Sequence, residues 1–211
     1  EVLDSMLPLY KDGFGNPSSV HSEGRVARVR LDEARDQVAE FIGAQPDEIV
    51  FTSGGSESNN FAILGVTLAS DNKKRHILTC EVEHAAILNP LKQMEKLGFH
   101  VDRLPVDNVG RIDPDIVKDA ITEETILVTI QHANSEVGTL QDIAEIGNHA
   151  REKGILFHTD AVQSIGKLPV NVRELPVDLM SISSHKIYGP KGVGALFIKR
   201  GTLPLFPLLS G

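Results

Sequence analysis

The sequence predicts an α/β protein in three layers (α/β/α), with helices on both faces of a mostly parallel sheet and one antiparallel strand. Three observations predict it. Short runs of branched apolar residues recur at 49–52, 77–80, 125–131, 155–159 and 177–183, without the alternation of a sheet that leaves one face in water. Between them lie stretches with apolar residues at three-to-four spacing, the period of a helix that covers a core. The final run, 193–199, follows its predecessor across a turn too short for a crossover, so it runs back antiparallel to its neighbour.

Taken in order, residues 1–20 read as an irregular segment, because Gly13-Phe-Gly-Asn-Pro-Ser-Ser is rich in turn formers. Residues 21–42 read as a helix carrying Val26, Val29, Ala34, Val38, Phe41 and Ile42, closed by Gly43. The strand 49–52 leads through Ser53-Gly-Gly-Ser into a helix to about residue 69. Strand 77–80 follows, and His84 opens a helix through 97 that Gly98 stops. A strand at 101–106 precedes a helix begun by Asp113-Pro114 and running to 121. Strand 125–131, helix 142–153 with Gly154 behind it, and strand 155–159 continue the rhythm; Asp160-Ala-Val-Gln then reads as the start of a short helix. Residues 21–211 form one domain in this reading, with no internal repeat or linker.

Composition excludes several functions. The 211 residues, 41% hydrophobic, suffice for one sizeable core. A formal charge of −8 and no clustered Lys or Arg leave no footprint for nucleic acid. No apolar run approaches the roughly 18 residues of a membrane span. The single cysteine, Cys80, excludes an intrachain disulfide framework and points to a reducing compartment, the cytoplasm or an organelle matrix. No signal peptide is visible, and the chain opens mid-pattern at Glu1 without a methionine, so a preceding segment is expected.

Ligands of such sheets gather outside the carboxyl ends of the strands, so the residues delivered there matter most. The first strand delivers Ser53-Gly54-Gly55-Ser56 at a helix start, where free N–H groups and a partial positive charge make a phosphate cup. An ordinary capped turn would look the same, and the pattern is neither GxGxxG nor a P-loop. The second delivers His84, able to lie over a planar ligand or move a proton, or simply to cap a helix. The strand at 125–131 delivers His132-Ala-Asn-Ser-Glu-Val-Gly, a polar turn. The strand at 155–159 delivers Asp160 and, three residues on, Gln163. The strand at 177–183 ends in Ser183, Ser184, His185 and Lys186; burial at a strand end would lower the lysine's pKa and make its amine a nucleophile. A phosphate cup, a carboxylate, a flat histidine and a lysine are the parts that pyridoxal phosphate requires. A metal site from His132, His158, Asp160 and His185 competes. It has no compact ligand motif and leaves the lysine unused, so no metal is expected.

Six segments carry a family resemblance: Gly15-Asn-Pro-Ser-Ser, Thr52-Ser-Gly-Gly-Ser-Glu-Ser-Asn-Asn, Glu83-His84, Asn134-Ser-Glu-Val-Gly, His158-Thr-Asp-Ala-Val-Gln and Ser183-Ser-His-Lys-Ile-Tyr-Gly-Pro-Lys-Gly. In this order, over nearly the whole chain, they resemble the NifS/IscS-like cysteine desulfurases, fold-type-I pyridoxal-phosphate enzymes of the class V aminotransferase family. The resemblance implies that Lys186 carries the cofactor and transfers protons, and that His84 stacks on its ring. Asp160 would pair with the ring nitrogen and Gln163 with the ring hydroxyl. Gly55 and Ser56, with Ser183 and His185, would hold the phosphate. Ser135 stands where the family commonly has a second asparagine that contacts the cofactor. The implied reaction converts L-cysteine to L-alanine and passes sulfur to an enzyme cysteine, then to an acceptor protein for iron–sulfur clusters or thiolation, in a homodimer. The same resemblance admits a selenocysteine lyase, or a truncated module that keeps the fold without the chemistry. It also implies that a small C-terminal domain with the substrate-binding arginine and the persulfide-forming cysteine lies outside this chain. A glycine-rich segment near Ser210-Gly211 would reach the partner's phosphate site. Cys80, within a strand, reads as a buried structural thiol.

Overall fold

Seven strands form one sheet in the computed structural model, which describes residues 1–70 and 74–209. They are β1 (Ile49–Thr52), β2 (His76–Cys80), β3 (His100–Leu104), β4 (Thr125–Thr129), β5 (Leu156–Asp160), β6 (Leu179–Ser183) and β7 (Gly194–Ile198). Their order across the sheet is β1-β7-β6-β5-β4-β2-β3. All pairings among β2 to β6 are parallel, and β7 runs antiparallel to both β6 and β1. One reversed strand is therefore inserted into a sheet whose other members, β1 included, point the same way. That brings the end of β1 to the same edge as the ends of β2, β4, β5 and β6. The expected glycine-rich contact near Ser210 and Gly211 lies outside the described residues.

Among the described residues there are six α-helices, α1 (Val2–Asp12), α2 (Ser22–Ile42), α3 (Gly55–Ala69), α4 (Ala85–Lys96), α5 (Pro114–Ala120) and α6 (Ile143–Glu152). Neighbouring residues on the strands feed two separate cores. Ile77, Leu127, Leu179 and Leu196 pack with Ala62, Ile63, Ile87 and Leu91 of α3 and α4. Leu78, Val128, Met180 and Phe197 pack with Ile42 of α2 and Ile146 and Ala150 of α6. Successive side chains of a strand point to opposite faces, so a strand that is apolar throughout needs a helix layer on each side. Each fully buried aliphatic side chain contributes roughly 1.5–3 kcal/mol, which makes these two cores the main support of the sheet edge where the loops converge.

Two expectations are overturned. The first 20 residues are not irregular: Val2–Asp12 is helical. Leu3, Met6, Leu7 and Tyr10 repeat at helical spacing, yet no residue of α1 is buried and Pro8 interrupts its ladder, so neither a core partner nor clean propensity marked it. The short helix after Asp160 does not form. Asp160 is the last residue of β5, and the chain then turns, with the Ser164 and Ile165 amides both donating to the Ala161 carbonyl. Gly166, at φ 75°, and Pro169 leave no room for a helix to propagate. Smaller differences lie at strand ends: β3 stops before Pro105, which cannot donate to a ladder, and β2 begins earlier, at His76.

Candidate active site

The loop after β1 is shaped by close backbone approach. Gly54 adopts φ 151° and ψ −179°, a conformation open only to glycine. A Cβ on Gly194, the first residue of β7, would lie 2.6 Å from the Gly54 Cα, and a Cβ on Gly55 would lie 2.7 Å from Cγ2 of Val162. The start of α3 is thus pressed between β7 and the turn after β5. Hydroxyls of Thr52 and Ser58 meet at 2.8 Å, and Ser58 Oγ donates to the Ala195 carbonyl at 3.0 Å, which fixes the loop. The N–H groups of the first turn of α3, with Ser56, face outward for an anion. At the loop's shoulder the Ser53 amide donates to Glu57 Oε2 at 2.6 Å. The Ser53 side chain and then its amide hold the Glu57 carboxyl below the usual range.

Asp160 ends β5 with only 8% of its surface exposed. Its Oδ2 accepts from Asn59 Nδ2 at 2.7 Å and its Oδ1 from the Val162 amide at 3.0 Å. Burial pushes this carboxyl up from its ordinary value, against the pull of Asn59, the Val162 amide and the more distant His84. Two neutral donors stabilise the anion without neutralising it. Asn59 was not among the residues singled out from sequence. It lies on the first turns of α3, buried, and its Oδ1 has no hydrogen-bond partner. A polar run, Ser-Glu-Ser-Asn-Asn, at the start of an otherwise apolar helix was the available signal.

His84 caps α4, its Nδ1 accepting from the Ala86 amide at 3.1 Å. The neutral ring must then carry its proton on Nε2. Beside it Glu83 is buried, with Oε1 accepting from the Gln131 amide at 2.7 Å and from Cys80 Sγ at 3.2 Å. Desolvation raises the Glu83 carboxyl to about 8. Cys80 is fully buried, and burial together with Glu83 pushes its thiol far up, so it is an inert, structural thiol. Side-chain amides of Gln131 and Asn134 both donate to the Val82 carbonyl, tying the loop after β4 to the loop after β2. Ser135 is left exposed, donating to Glu136 Oε1 at 3.1 Å.

At the end of β6 a single 3-10 turn, Ser184–Lys186, carries the lysine. Ser183 Oγ and His185 Nδ1 are 2.8 Å apart. Lys186 is half-buried at the wall of the site rather than sealed in the core. Gln163 accepts from Lys167 Nζ at 3.1 Å.

One open cleft of about 500 Å³ collects these groups. Gly55, Ser56, His84, Ser135, Asp160, Gln163, Ser183, His185 and Lys186 all line it, and so do Asn59 and Lys191. The structure brings together every residue singled out as catalytic or cofactor-binding. The competing metal set does not converge. His158 is fully buried between Thr129 Oγ1, at 2.8 Å, and Ser181 Oγ, at 3.0 Å. Its burial lowers the imidazole to about 3, so the ring is neutral. Among the described residues, the grouping with metal-ligand proximity lies elsewhere, at His76, His100 and Asp102.

Comparison with known proteins agrees with this geometry. Residues 1–211 match the class-V aminotransferase family. The chain is 55% identical over 211 residues to the cysteine desulfurase IscS of Dictyoglomus turgidum, covering 100% of this chain and 53% of that protein. It is 50% identical over 200 residues to a probable mitochondrial cysteine desulfurase of Dictyostelium discoideum, covering 94% and 44%. Among solved structures, SspA in complex with cysteine superposes with a TM-score of 0.96 at 44% identity, covering 100% of this chain and 61% of that one. A NifS-like protein gives 0.96 at 40% identity, covering 100% and 58%. The chain belongs to the class-V aminotransferase family. It spans about half the length of the curated relatives it matches.

Proposed function

We propose that residues 1–211 are the cofactor-binding part of a pyridoxal-phosphate-dependent cysteine desulfurase. The observation that carries the reading is Asp160: a buried carboxylate with neutral donors only, lining the same cleft as Lys186. A protonated ring nitrogen supplies the positive charge that this carboxylate lacks, and the start of α3 offers a phosphate the N–H groups it needs. The residues therefore fit the cofactor: Lys186 would join to it, Asp160 would pair with the ring nitrogen, His84 would cover the ring, and Gln163 and Ser135 would bond its polar rim. Gly55, Ser56, Ser183 and His185 would hold the phosphate.

Pyridoxal phosphate supplies an electron-withdrawing ring that stabilises charge released at the α-carbon of a bound amino acid. The chain's residues do the rest. Asp160 would keep the ring nitrogen protonated. Lys186 Nζ would be the base that accepts the α-proton of L-cysteine and later returns a proton. His84, its Nδ1 committed to Ala86, has Nε2 left for proton transfer. The overall reaction is L-cysteine plus a thiol giving L-alanine plus a persulfide. Cys80 does not provide that thiol, because it is sealed and protonated. The accepting cysteine lies outside residues 1–211, and the acceptor protein that follows it serves iron–sulfur assembly or thiolation. The relatives named cysteine desulfurase and the neighbour bound to cysteine support the substrate. No helix among the described residues is long and apolar enough to cross a membrane. Together with mitochondrial and mitosomal relatives this supports a cytoplasmic or organelle-matrix location. Exposed Leu3, Leu7, Tyr10 and Phe14 support burial of the N-terminal segment in a homodimer.

Borohydride reduction in the presence of pyridoxal phosphate tests the reading directly. The wild-type chain should retain the cofactor covalently, located at Lys186 by peptide mass, and Lys186→Ala should retain none. Equal labelling of the two proteins would remove Lys186 from its role. Alanine release from cysteine against selenocysteine, with an accepting thiol supplied, then separates a desulfurase from a selenocysteine lyase.

A further inference from the structure

We infer a binding site for a divalent transition-metal ion at the edge of the sheet opposite the cleft, formed by His76, His100 and Asp102. The strands place these residues. In the parallel register of β2 and β3, His76 stands opposite His100 and Leu78 opposite Asp102. Residues two apart on a strand share a face, so Asp102 projects on the same side as both histidines. The pairing of β2 with β4 is irregular between His76 and Ile77, a local distortion of the kind that re-aims a side chain.

The resulting geometry is that of a ligand set. His100 Nε2 lies 2.9 Å from Asp102 Oδ1, and His76 Nε2 lies 3.1 Å from Asp102 Oδ2. The two rings stack at 5.3 Å with 27° between their planes. One donor atom from each of the three residues lies within 4.8 Å of the others. With bonds of about 2.0–2.2 Å, donors around a tetrahedral zinc stand about 3.3 Å apart, so small side-chain adjustments would admit the ion between them.

The buried ligand also has the support that metal-binding imidazoles use. His76 is 3% exposed, and its Nδ1 lies 2.9 Å from Thr125 Oγ1. Thr125 is itself fixed, accepting from the Thr122 amide at 2.8 Å and lying 3.3 Å from Thr122 Oγ1. Thr125 on Nδ1 holds the ring so that Nε2 faces the Asp102 carboxylate, and a cation taking the place of the shared proton would find both groups already oriented toward it. His100 and Asp102 are open to solvent, 73% and 43% exposed in their side chains, which gives an ion an entry path and leaves further positions to water. Two imidazoles and one carboxylate select zinc, cobalt or nickel over magnesium or calcium, which prefer oxygen. Because β3 is the edge strand among the described residues, paired with β2, the ion would clip that edge to the sheet. Nothing in the proposed cofactor chemistry uses these residues.

Zinc chloride titrated into the full chain by calorimetry tests the site. The expected result is one ion per chain, with His100→Ala and Asp102→Asn each weakening binding at least as much as the roughly 10–100-fold lost when even an outer-shell partner is removed. Both positions are solvent-facing, so the variants should keep the fold, checked by circular dichroism. Zinc should also raise the thermal midpoint of the wild-type chain and not that of His100→Ala. Absence of stoichiometric binding to the wild type would overturn the proposal, leaving a plain His–Asp–His hydrogen-bonded cluster. Binding unchanged in His100→Ala would overturn it equally, by assigning the ion to another histidine.

Discussion

Replacing Glu83 with glutamine should change how stability depends on pH. In the unfolded chain this carboxyl loses its proton near 4.5, whereas in the folded protein burial holds it until about 8. Between those values the folded state binds the extra proton, so raising the pH favours unfolding. Each unit of the window is worth about 1.4 kcal/mol for a fully desolvated group, so between about pH 5 and pH 7 Glu83 removes roughly 2–3 kcal/mol. His158 works the other way. Its folded value of about 3 lies below the unfolded 6.5, so it costs stability as the pH falls below about 6.5. The two slopes partly cancel in the wild type, which is why the comparison must be between proteins. Urea unfolding of wild type and Glu83→Gln at the two pH values isolates the carboxyl. The glutamine keeps an oxygen for Gln131 and Cys80, and any pH-independent cost of its amide drops out of the double difference. The variant should gain about 2–3 kcal/mol relative to wild type on going from pH 5 to pH 7. A double difference within about 0.5 kcal/mol of zero, a common additivity error, would mean that Glu83 is ionised in the fold and that the burial argument is wrong.

Asn59→Ala removes the side-chain donor from Asp160 and should weaken pyridoxal-phosphate binding roughly 10–100-fold, the 1.5–3 kcal/mol of a hydrogen bond to a charged group. Absorbance titration reads it, and affinity within twofold of wild type would make Asn59 a bystander. Gly194→Ala sets a Cβ against the Gly54 backbone, 2.6 Å away, in a loop with no slack. It should cost about 1–3 kcal/mol in urea unfolding and loosen the cofactor, and an unchanged midpoint would show that the loop can yield.

The fold was legible because its strands are buried on both faces. Runs such as Ile77 to Cys80 and Val177 to Ser183 cannot serve any sheet with a wet side, and the glycines behind α2 and α4 end helices by backbone geometry alone. The nine candidate residues were legible because each follows directly on such a run. Helix α1 was not legible, since its residues bury nothing in these 211 residues and its apolar repeat had no partner to give it meaning. Nor were the turns after Asp160, where the apolar spacing suits a helix but Gly166 and Pro169 decide otherwise. Asn59 was hidden for another reason: its importance depends on which strand end α3 packs against, and that is set by the insertion of β7 between β1 and β6. The His76–His100–Asp102 group was hidden likewise, as strand register alone brings residues so far apart in the chain into one cluster.

Two buried carboxyls, Glu83 and Asp160, lie beneath the same loops, and only one suits a cationic ring. Both are pushed up by burial, and the Asp160 charge adds to the cost of ionising Glu83. Glu83 is turned inward, bonded to the Gln131 amide and Cys80, and does not line the cleft. Asp160 does line it, and its two donors oppose the upward push of burial without overcoming it. A proton on Glu83 spares the site a second negative charge. That leaves Asp160 as the one group whose ionisation a bound cation would complete. The division of labour follows from which carboxyl has an open face onto the cleft. It also explains why an asparagine, rather than an arginine or a lysine, stands behind Asp160. A permanent cation there would neutralise the carboxylate in advance and remove the pull on the ring nitrogen.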